Sequence, residues 1–324
     1  MTTASTARHR TGLATARPTI ARVAAARIAA VAAAAALALT GCAPAGDDRP
    51  VVFVSTNILG DVVDELVGDQ AEVVTLMKPD ADPHSFEISA RQAARMRTAD
   101  LVVSNGLGLE EGLQQRLDAA VDSGVASFVA ADAIDVLDYR EGDAAGTPDP
   151  HFWTDPGRML DVVDALEPAL AAVDGVDTAT LTARTDDYRA ELDRLDAEMT
   201  TAFAAIPAER RALVTNHHVF GYLADRFDFD VVGAVIPGGT TLAAPSASDL
   251  ADLVDAVETT GVPTVFAESS SPDRLVQALA SEADVHVDVV ELFTESLTAA
   301  DGDAPDYLTM MRVDTERIAT GLSP

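Results

Sequence analysis

Residues Thr178 to Ala205 run for 28 positions without a glycine or a proline. Leu181, Ala183, Tyr188, Leu192, Leu195, Met199 and Phe203 recur along them at spacings near three and four. That period puts them on one face of a helix, roughly 42 Å long at 1.5 Å per residue, and Pro207 stops it. A helix of that length in mid-chain restricts the architectures open to the rest. It lies along one domain, or it links two. The sequence on both sides alternates short apolar runs with helical patterns, which favours a connector between two α/β halves.

Before the helix, Val51–Thr56, Glu72–Met77, Leu101–Ser104 and Ala126–Ala130 read as strands, and Ile58–Val67, Ser89–Thr98 and Leu109–Val121 as helices. After it, Ala212–Thr215, Val231–Ile236, Thr264–Ala267 and Val285–Leu292 read as strands. Tyr222–Arg226, Ser246–Glu258, Pro272–Ser281 and Tyr307–Leu322 read as helices, with Ser246 or Ser248 as an N-cap and Pro237-Gly238-Gly239 as a turn. Strands alternating with helices imply parallel sheets with right-handed crossovers. The expected fold is therefore α/β, with two lobes over residues 51–177 and 207–324. Each is a parallel sheet flanked by helices, and one long rigid helix over 178–206 joins them. Arg140–Pro150, rich in Gly, Pro and Asp, reads as a loop.

Residues 1–41 fall outside this fold. They carry Arg8, Arg10, Arg17, Arg22 and Arg27, no acidic residue, and the apolar stretch Ile28–Leu39. That is a charged and then a short apolar leader region, too short to span a membrane alone. Leu39-Thr40-Gly41-Cys42 resembles a bacterial lipobox, in which cleavage leaves Cys42 as a lipid-bearing N-terminus. Stable anchoring takes more than one acyl chain, and the diacylglycerol that a lipobox implies meets that need. Residues 42–50 then act as a tether. Cys42 is the only cysteine, so no intramolecular disulfide forms. Without the five leader arginines the formal charge moves from −31 to about −36, and Lys78 is the only lysine. Such a surface argues against nucleic acid and anionic lipid headgroups as partners. Membrane contact is then expected through the lipid alone, and the acidic surface serves solubility.

The chain has six histidines, and two of them belong to a repeated tripeptide, Asp82-Pro83-His84 and Asp149-Pro150-His151. His217 follows the strand-like run Ala212–Thr215, and Glu295 follows the run ending at Leu292. Ligands of parallel sheets bind beyond the carboxyl ends of the strands, so a cleft between the lobes collects all four. Proline before each of His84 and His151 fixes one backbone angle and keeps the preceding aspartate extended. Three imidazoles and one carboxylate suit tetrahedral Zn2+, whereas two histidines and two carboxylates lean toward Mn2+. Glu268, after Thr264–Ala267, is the rival carboxylate. His218 is given a supporting or solvent role beside His217. His286, in an alternating strand, reads as a surface or hydrogen-bonded histidine. Phe86, Phe152, Trp153 and Phe220 read as core that also dries the cleft.

These residues sit in a longer set of motifs. The set includes Asp82-Pro83-His84-Ser85-Phe86-Glu87, Asn105-Gly106-Leu107-Gly108-Leu109-Glu110 and Asp149-Pro150-His151-Phe152-Trp153-Thr154-Asp155-Pro156. It continues with Thr215-Asn216-His217, Phe220-Gly221-Tyr222 and Glu291-Leu292-Phe293-Thr294-Glu295-Ser296-Leu297. From about Val51 to Leu322 the chain resembles the metal-binding solute-binding proteins of ABC transporters, cluster A-I, the group of the ZnuA, TroA and AztC types. The resemblance implies two lobes, a rigid linking helix and a metal between the lobes held by His84, His151, His217 and Glu295. The family's fourth ligand is usually aspartate, and its third is usually followed by an acidic residue where this chain has His218. The histidine-rich loop of many zinc members is absent, since Arg140–Pro150 is acidic and contains no histidine.

The leading expectation is a lipid-anchored, monomeric, extracytoplasmic receptor that captures Zn2+ and delivers it to a permease with its cytoplasmic ATPase. A zinc-donating chaperone is a further candidate partner. A Mn2+ or Fe2+ receptor of the same fold is the alternative. From another class comes a zinc hydrolase, although no His-Glu-x-x-His run exists and a fourth protein ligand closes the site. A surface adhesin is a fourth option that nothing in the sequence specifically supports.

Overall fold

The computed structural model describes residues 1–2, 49–140, 142, 144–236, 238–242, 247–270, 276–277 and 288–323. Cys42 and its leader, Pro237, Ser246, His286, nearly all of Pro272–Ser281 and the start of Val285–Leu292 lie outside the described residues. Arg49–Pro324 forms one compact unit.

Among the described residues eight strands form two sheets. The first contains β1 (Val51–Val54), β2 (Glu72–Thr75), β3 (Leu101–Ser104) and β4 (Ala126–Val129) in the order β2-β1-β3-β4. The second contains β5 (Ala212–His217), β6 (Asp230–Ile236), β7 (Thr264–Glu268) and β8 (Asp288–Leu292) in the matching order β6-β5-β7-β8. All pairings are parallel. Parallel sheets are covered on both faces, which is why β1 and β3 read as unbroken apolar runs.

Among the described residues the main helices are α1 (Asn57–Val67), α2 (Ala90–Met96), α3 (Gln114–Asp122), α4 (Pro156–Ala171), α5 (Thr178–Ala204), α6 (Gly221–Phe227), α7 (Ala247–Thr260) and α8 (Tyr307–Leu322). The long helix is α5. Asp177 caps it by accepting from the Thr180 N–H at 2.9 Å, which satisfies one of its orphan donors. Its buried face is Leu181, Thr185, Tyr188, Leu192, Leu195, Met199 and Phe203. Thr185 takes the inward place expected of Ala183, and its hydroxyl donates to the Leu181 carbonyl at 2.9 Å, so that hydroxyl is not stranded. Burying each large side chain in this row contributes about 1.5–3 kcal/mol.

That face packs on α1 and α4 from the first half and on α8 from the second, so α5 contacts both lobes. One continuous apolar core runs from Val52 and Val103 through α1, α4 and α5 to Phe266, Leu292 and α8. Each sheet then has a smaller core of its own on its far face. The lobes are therefore joined by shared core as well as by the connector. No described helix is long and apolar enough to cross a membrane.

Two elements differ from expectation. The helix read over Leu109–Val121 begins only at Gln114. Gly106, Leu107 and Gly108 all take positive φ, and Glu110 turns its carboxylate back onto the Asn105 and Gly106 N–H groups. The chain there makes a tight turn instead of a helix. Helix α4 was not read from sequence because Pro156, Gly157 and Pro168 interrupt the pattern. Pro156 sits at the first helical position, where its missing N–H costs nothing, and Asp155 caps that turn by accepting from Gly157 N–H at 2.8 Å.

Candidate metal centre

Both sheets point their carboxyl ends at one buried spot between them. His84 reaches it from the loop after β2, and His151 from the loop that follows β4. His217 is the last residue of β5, two residues further along the strand than expected. Glu295 lies three residues beyond β8. All four are buried.

One carboxylate oxygen gathers the three imidazoles. Glu295 Oε1 lies 3.0 Å from His84 Nε2, 3.2 Å from His151 Nε2 and 3.3 Å from His217 Nε2. The His84 and His151 Nε2 atoms are 3.4 Å apart. One ligand atom from each of the four residues falls within 4.8 Å of the others. Ligands about 2.0–2.1 Å from a zinc ion sit at tetrahedron edges of about 3.3 Å, so most of these separations are the edges of such a cage. Glu295 Oε2 and His217 Nε2 are buried and lack a hydrogen-bond partner. Stranded buried polar atoms are costly, and a cation is the group that would satisfy this set.

The electrostatics agree with cation binding. Burial opposes ionisation of Glu295, but the charge of His217 close beside it and hydrogen bonds from His151 and His84 hold its carboxyl well below the usual range. Burial lowers the pKa of His151, yet the hydrogen bonds and charges of Asp149 and Glu295 carry it above the usual value. His217 is raised likewise, against burial, by Glu268 and Glu295. The pocket is thus built for positive charge.

The rival carboxylate lies on the other side of His217. Glu268 ends β7 and approaches the far ring nitrogen, His217 Nδ1, at 3.3 Å, while its Oε1 accepts from the Thr294 hydroxyl at 2.7 Å. Carboxylates on the outer nitrogen of a ligand histidine fix its tautomer and raise its basicity. His218 leaves the cluster and meets the edge of Tyr139 at a ring-centroid distance of 6.4 Å. Burial and the neighbouring His217 charge push it down.

The repeated tripeptide has a local purpose that sequence reading missed. In each copy the aspartate accepts from the backbone N–H of the histidine two residues on, at 2.8 Å for Asp82 and 2.9 Å for Asp149. Proline between them removes a competing donor and fixes the turn. The copies then diverge. Asp149 Oδ1 also takes the His151 ring Nδ1 at 2.8 Å, whereas Asp82 Oδ2 accepts from Ser85 and Thr241 hydroxyls at 3.0 and 2.6 Å.

The remaining motifs hold the ligand loops. Glu110 anchors the glycine turn through the Ser55 hydroxyl and two N–H groups, and Asn105 Nδ2 donates to the Pro150 carbonyl at 3.0 Å. A side chain at Gly221 would meet Asp149 Oδ2 at 2.4 Å, so glycine lets that aspartate approach. The Tyr222 hydroxyl donates to the Asp149 carbonyl at 2.9 Å and accepts from Leu137 N–H at 3.0 Å. On the other side, Trp153 Nε1 donates to the Thr294 carbonyl at 2.8 Å. Asn57 brackets Ser296 and Leu297, with 2.9 Å to the serine hydroxyl and 3.0 Å from the Leu297 N–H. Phe152, Trp153 and Phe220 are core, as expected, and Phe86 packs partly buried on the first sheet's far side.

Comparison with known proteins gives a family. Residues 52–321 match the model of the periplasmic zinc-uptake complex component A, ZnuA. The zinc-binding protein TroA of Treponema pallidum is 30% identical over 283 residues, covering 86% of this chain and 91% of TroA. The iron-binding protein YfeA of Yersinia pestis is 28% identical over 270 residues, covering 83% and 85%. The manganese ABC transporter substrate-binding lipoprotein PsaA of Streptococcus anginosus is 27% identical over 298 residues, covering 89% and 95%. The solved structure of TroA superposes with a TM-score of 0.78 at 27% identity, over 85% of this chain and all of that one.

Proposed function

The chain belongs to the ZnuA family of periplasmic zinc-uptake components, and from that premise we propose that it captures Zn2+ outside the cytoplasm and hands it to a membrane permease. Coarsely, it is a solute-binding receptor of ABC metal uptake and not an enzyme. Its buried site of three histidines and one glutamate takes a divalent ion such as Zn2+ or Mn2+. The observation that carries the reading is the single Glu295 oxygen at 3.0–3.3 Å from three imidazole Nε2 atoms. On this reading His84, His151, His217 and Glu295 are the ligands and the ion is cargo. Three nitrogen donors and one oxygen favour zinc over the harder Mn2+. Four protein ligands leave no open position for a reacting water, which separates the site from catalytic zinc. Cys42 is the lipid-bearing end, in keeping with the lipoprotein relative.

Raw affinity ranks Zn2+ above Mn2+ at almost any such site, so titration alone does not identify the cargo. Deleting the gene should lower cell zinc in zinc-poor medium and leave manganese and iron unchanged. Loss of manganese or iron with zinc intact would overturn the choice of metal. Purified protein that takes up none of the three ions would overturn the receptor reading. Membrane release of a Cys42→Ala variant tests the anchor.

A further inference from the structure

His218 is the one histidine of the described fold that the tight cluster does not use. Neighbouring side chains of an extended segment point to opposite sides, so His217 enters the cluster and His218 leaves it. The His218 ring is half-buried and touches Tyr139 edge-on, with no hydrogen bond to the other described residues. It faces a cavity of about 210 Å³ that also reaches Asp149, Asp138 and Asp230. Asp149 spends Oδ1 on the backbone and ring of His151. Its Oδ2 lies against Gly221, another lining residue, and makes no hydrogen bond to the described residues. Arg140 at the rim is paired with Asp225, so it does not neutralise the lining aspartates.

An imidazole and a carboxylate oxygen, both without protein partners, face one small acidic cavity beside the tight site. Imidazole nitrogen with carboxylate oxygen is the donor chemistry of Zn2+ and its neighbours among divalent ions. Phe220 and Phe229 on the wall offer no donors, and the other wall carboxylates, Asp138 and Asp230, are solvent-exposed, so an ion held by His218 and Asp149 keeps water ligands and is held weakly. We propose that His218 and Asp149 Oδ2 form a second, labile divalent-cation subsite in this cavity, adjoining the tight one. Asp149 then touches both positions, one oxygen on the subsite and the other on His151, which makes occupancy of one felt at the other.

The subsite rests on the receptor reading above, and one experiment separates the two. Metal-free protein is titrated with Zn2+ alone, and the imidazole resonances are followed by nitrogen–proton correlation NMR. The first equivalent is expected to move His84, His151 and His217. Excess Zn2+ is then expected to move His218 in a saturable second step. In His218→Asn the first step stays, and the metal bound at saturation in equilibrium dialysis drops by one ion per chain. If His218 stays unmoved through several equivalents, or if the variant binds as many ions as the parent, the subsite is refuted while the tight site stands. If the first equivalent leaves the three other rings unmoved, the receptor reading falls and the subsite with it.

Discussion

Asp82→Asn and Asp149→Asn are a matched pair, because both aspartates make the same bond in the same tripeptide. Each accepts from the N–H of its histidine, and an asparagine oxygen can accept the same bond, without the charge assistance. Only Asp149 also holds a ligand ring, at 2.8 Å from His151 Nδ1. Removing its charge weakens the imidazole as a donor. Such outer partners of metal ligands typically carry tenfold to hundredfold in affinity, or about 1.4–2.7 kcal/mol. For Asp82→Asn only charge assistance to one backbone bond and two hydroxyls is lost, so less than about fivefold is expected. Competition for Zn2+ against a chromophoric chelator at neutral pH measures both, with thermal unfolding of the metal-free variants as the control for folding. Equal losses in the two variants would refute the argument, since the aspartates would then act through the turn and not the ring.

Further outcomes follow from the same geometry. Glu295→Gln should reduce Zn2+ affinity by more than a hundredfold, because it removes the one carboxylate charge that the described residues bring into the cluster, while Glu268→Gln should stay within the tenfold-to-hundredfold range of an outer partner; calorimetry with a competing chelator ranks them. Gly221→Ala puts a methyl group against Asp149 Oδ2, so it should lose affinity as Asp149→Asn does, and the double variant should lose little more than either alone. Burial, opposed by the Tyr307 N–H and aided by Asp306, Glu65 and Asp64, raises Asp61 to about 7, and burial raises Asp314 to about 7. The folded state then keeps protons that the unfolded state releases near the ordinary aspartate value of 3.8. Stability of the metal-free protein from these groups is full below that value, falls as pH rises to about 7, and is flat above it. Asp61→Asn should remove its share of the slope, at most about 4 kcal/mol, in urea unfolding on either side of that window.

The parts of the fold legible in sequence are those where one physical rule acts alone. Helix α5 has an uninterrupted 3.6-residue period, a cap and a stop, and its ends came out within one residue of the structure. The buried parallel strands announce themselves as apolar runs. Where two rules compete, reading failed. Around Gly106–Glu110 a helical apolar pattern is overridden by three left-handed residues and a carboxylate bonded to its own turn. The three clustered histidines were legible because the chain has only six. Choosing Glu295 over Glu268 was harder, because both follow strands of one sheet by a few residues. The structure separates them by which nitrogen of His217 each faces. The clamps from Trp153 and Asn57 join residues far apart in sequence, and no local pattern encodes them; the Asp149 ring contact is local, but the first Asp-Pro-His copy has the same residues without it, so the tripeptide does not announce it.

The four clustered residues are not held alike, and that orders how the site should open. His151 is fixed by Asp149 on its outer nitrogen, and His217 has Glu268 at its outer nitrogen. The segment carrying Glu295 is pinned from both sides by Trp153 and Asn57. The outer nitrogens of His84 and His217 are both buried without a hydrogen-bond partner, but His217 has the Glu268 carboxylate 3.3 Å away, and the loop that carries His84 depends on Asp82 and the Thr241 hydroxyl. A cavity of about 460 Å³ also reaches His84 and no other residue of the cluster. With the lobes joined through one core, wide separation of the sheets would expose that core, whereas moving the His84 loop breaks only a few polar contacts. His84 is therefore expected to leave the ion first. Relaxation-dispersion NMR on the zinc-loaded protein should detect exchange at His84 and its loop before His151 or His217, and Thr241→Val should quicken metal loss to a chelator. Exchange that involves all three histidines at one common rate would show the lobes opening together and would refute this order.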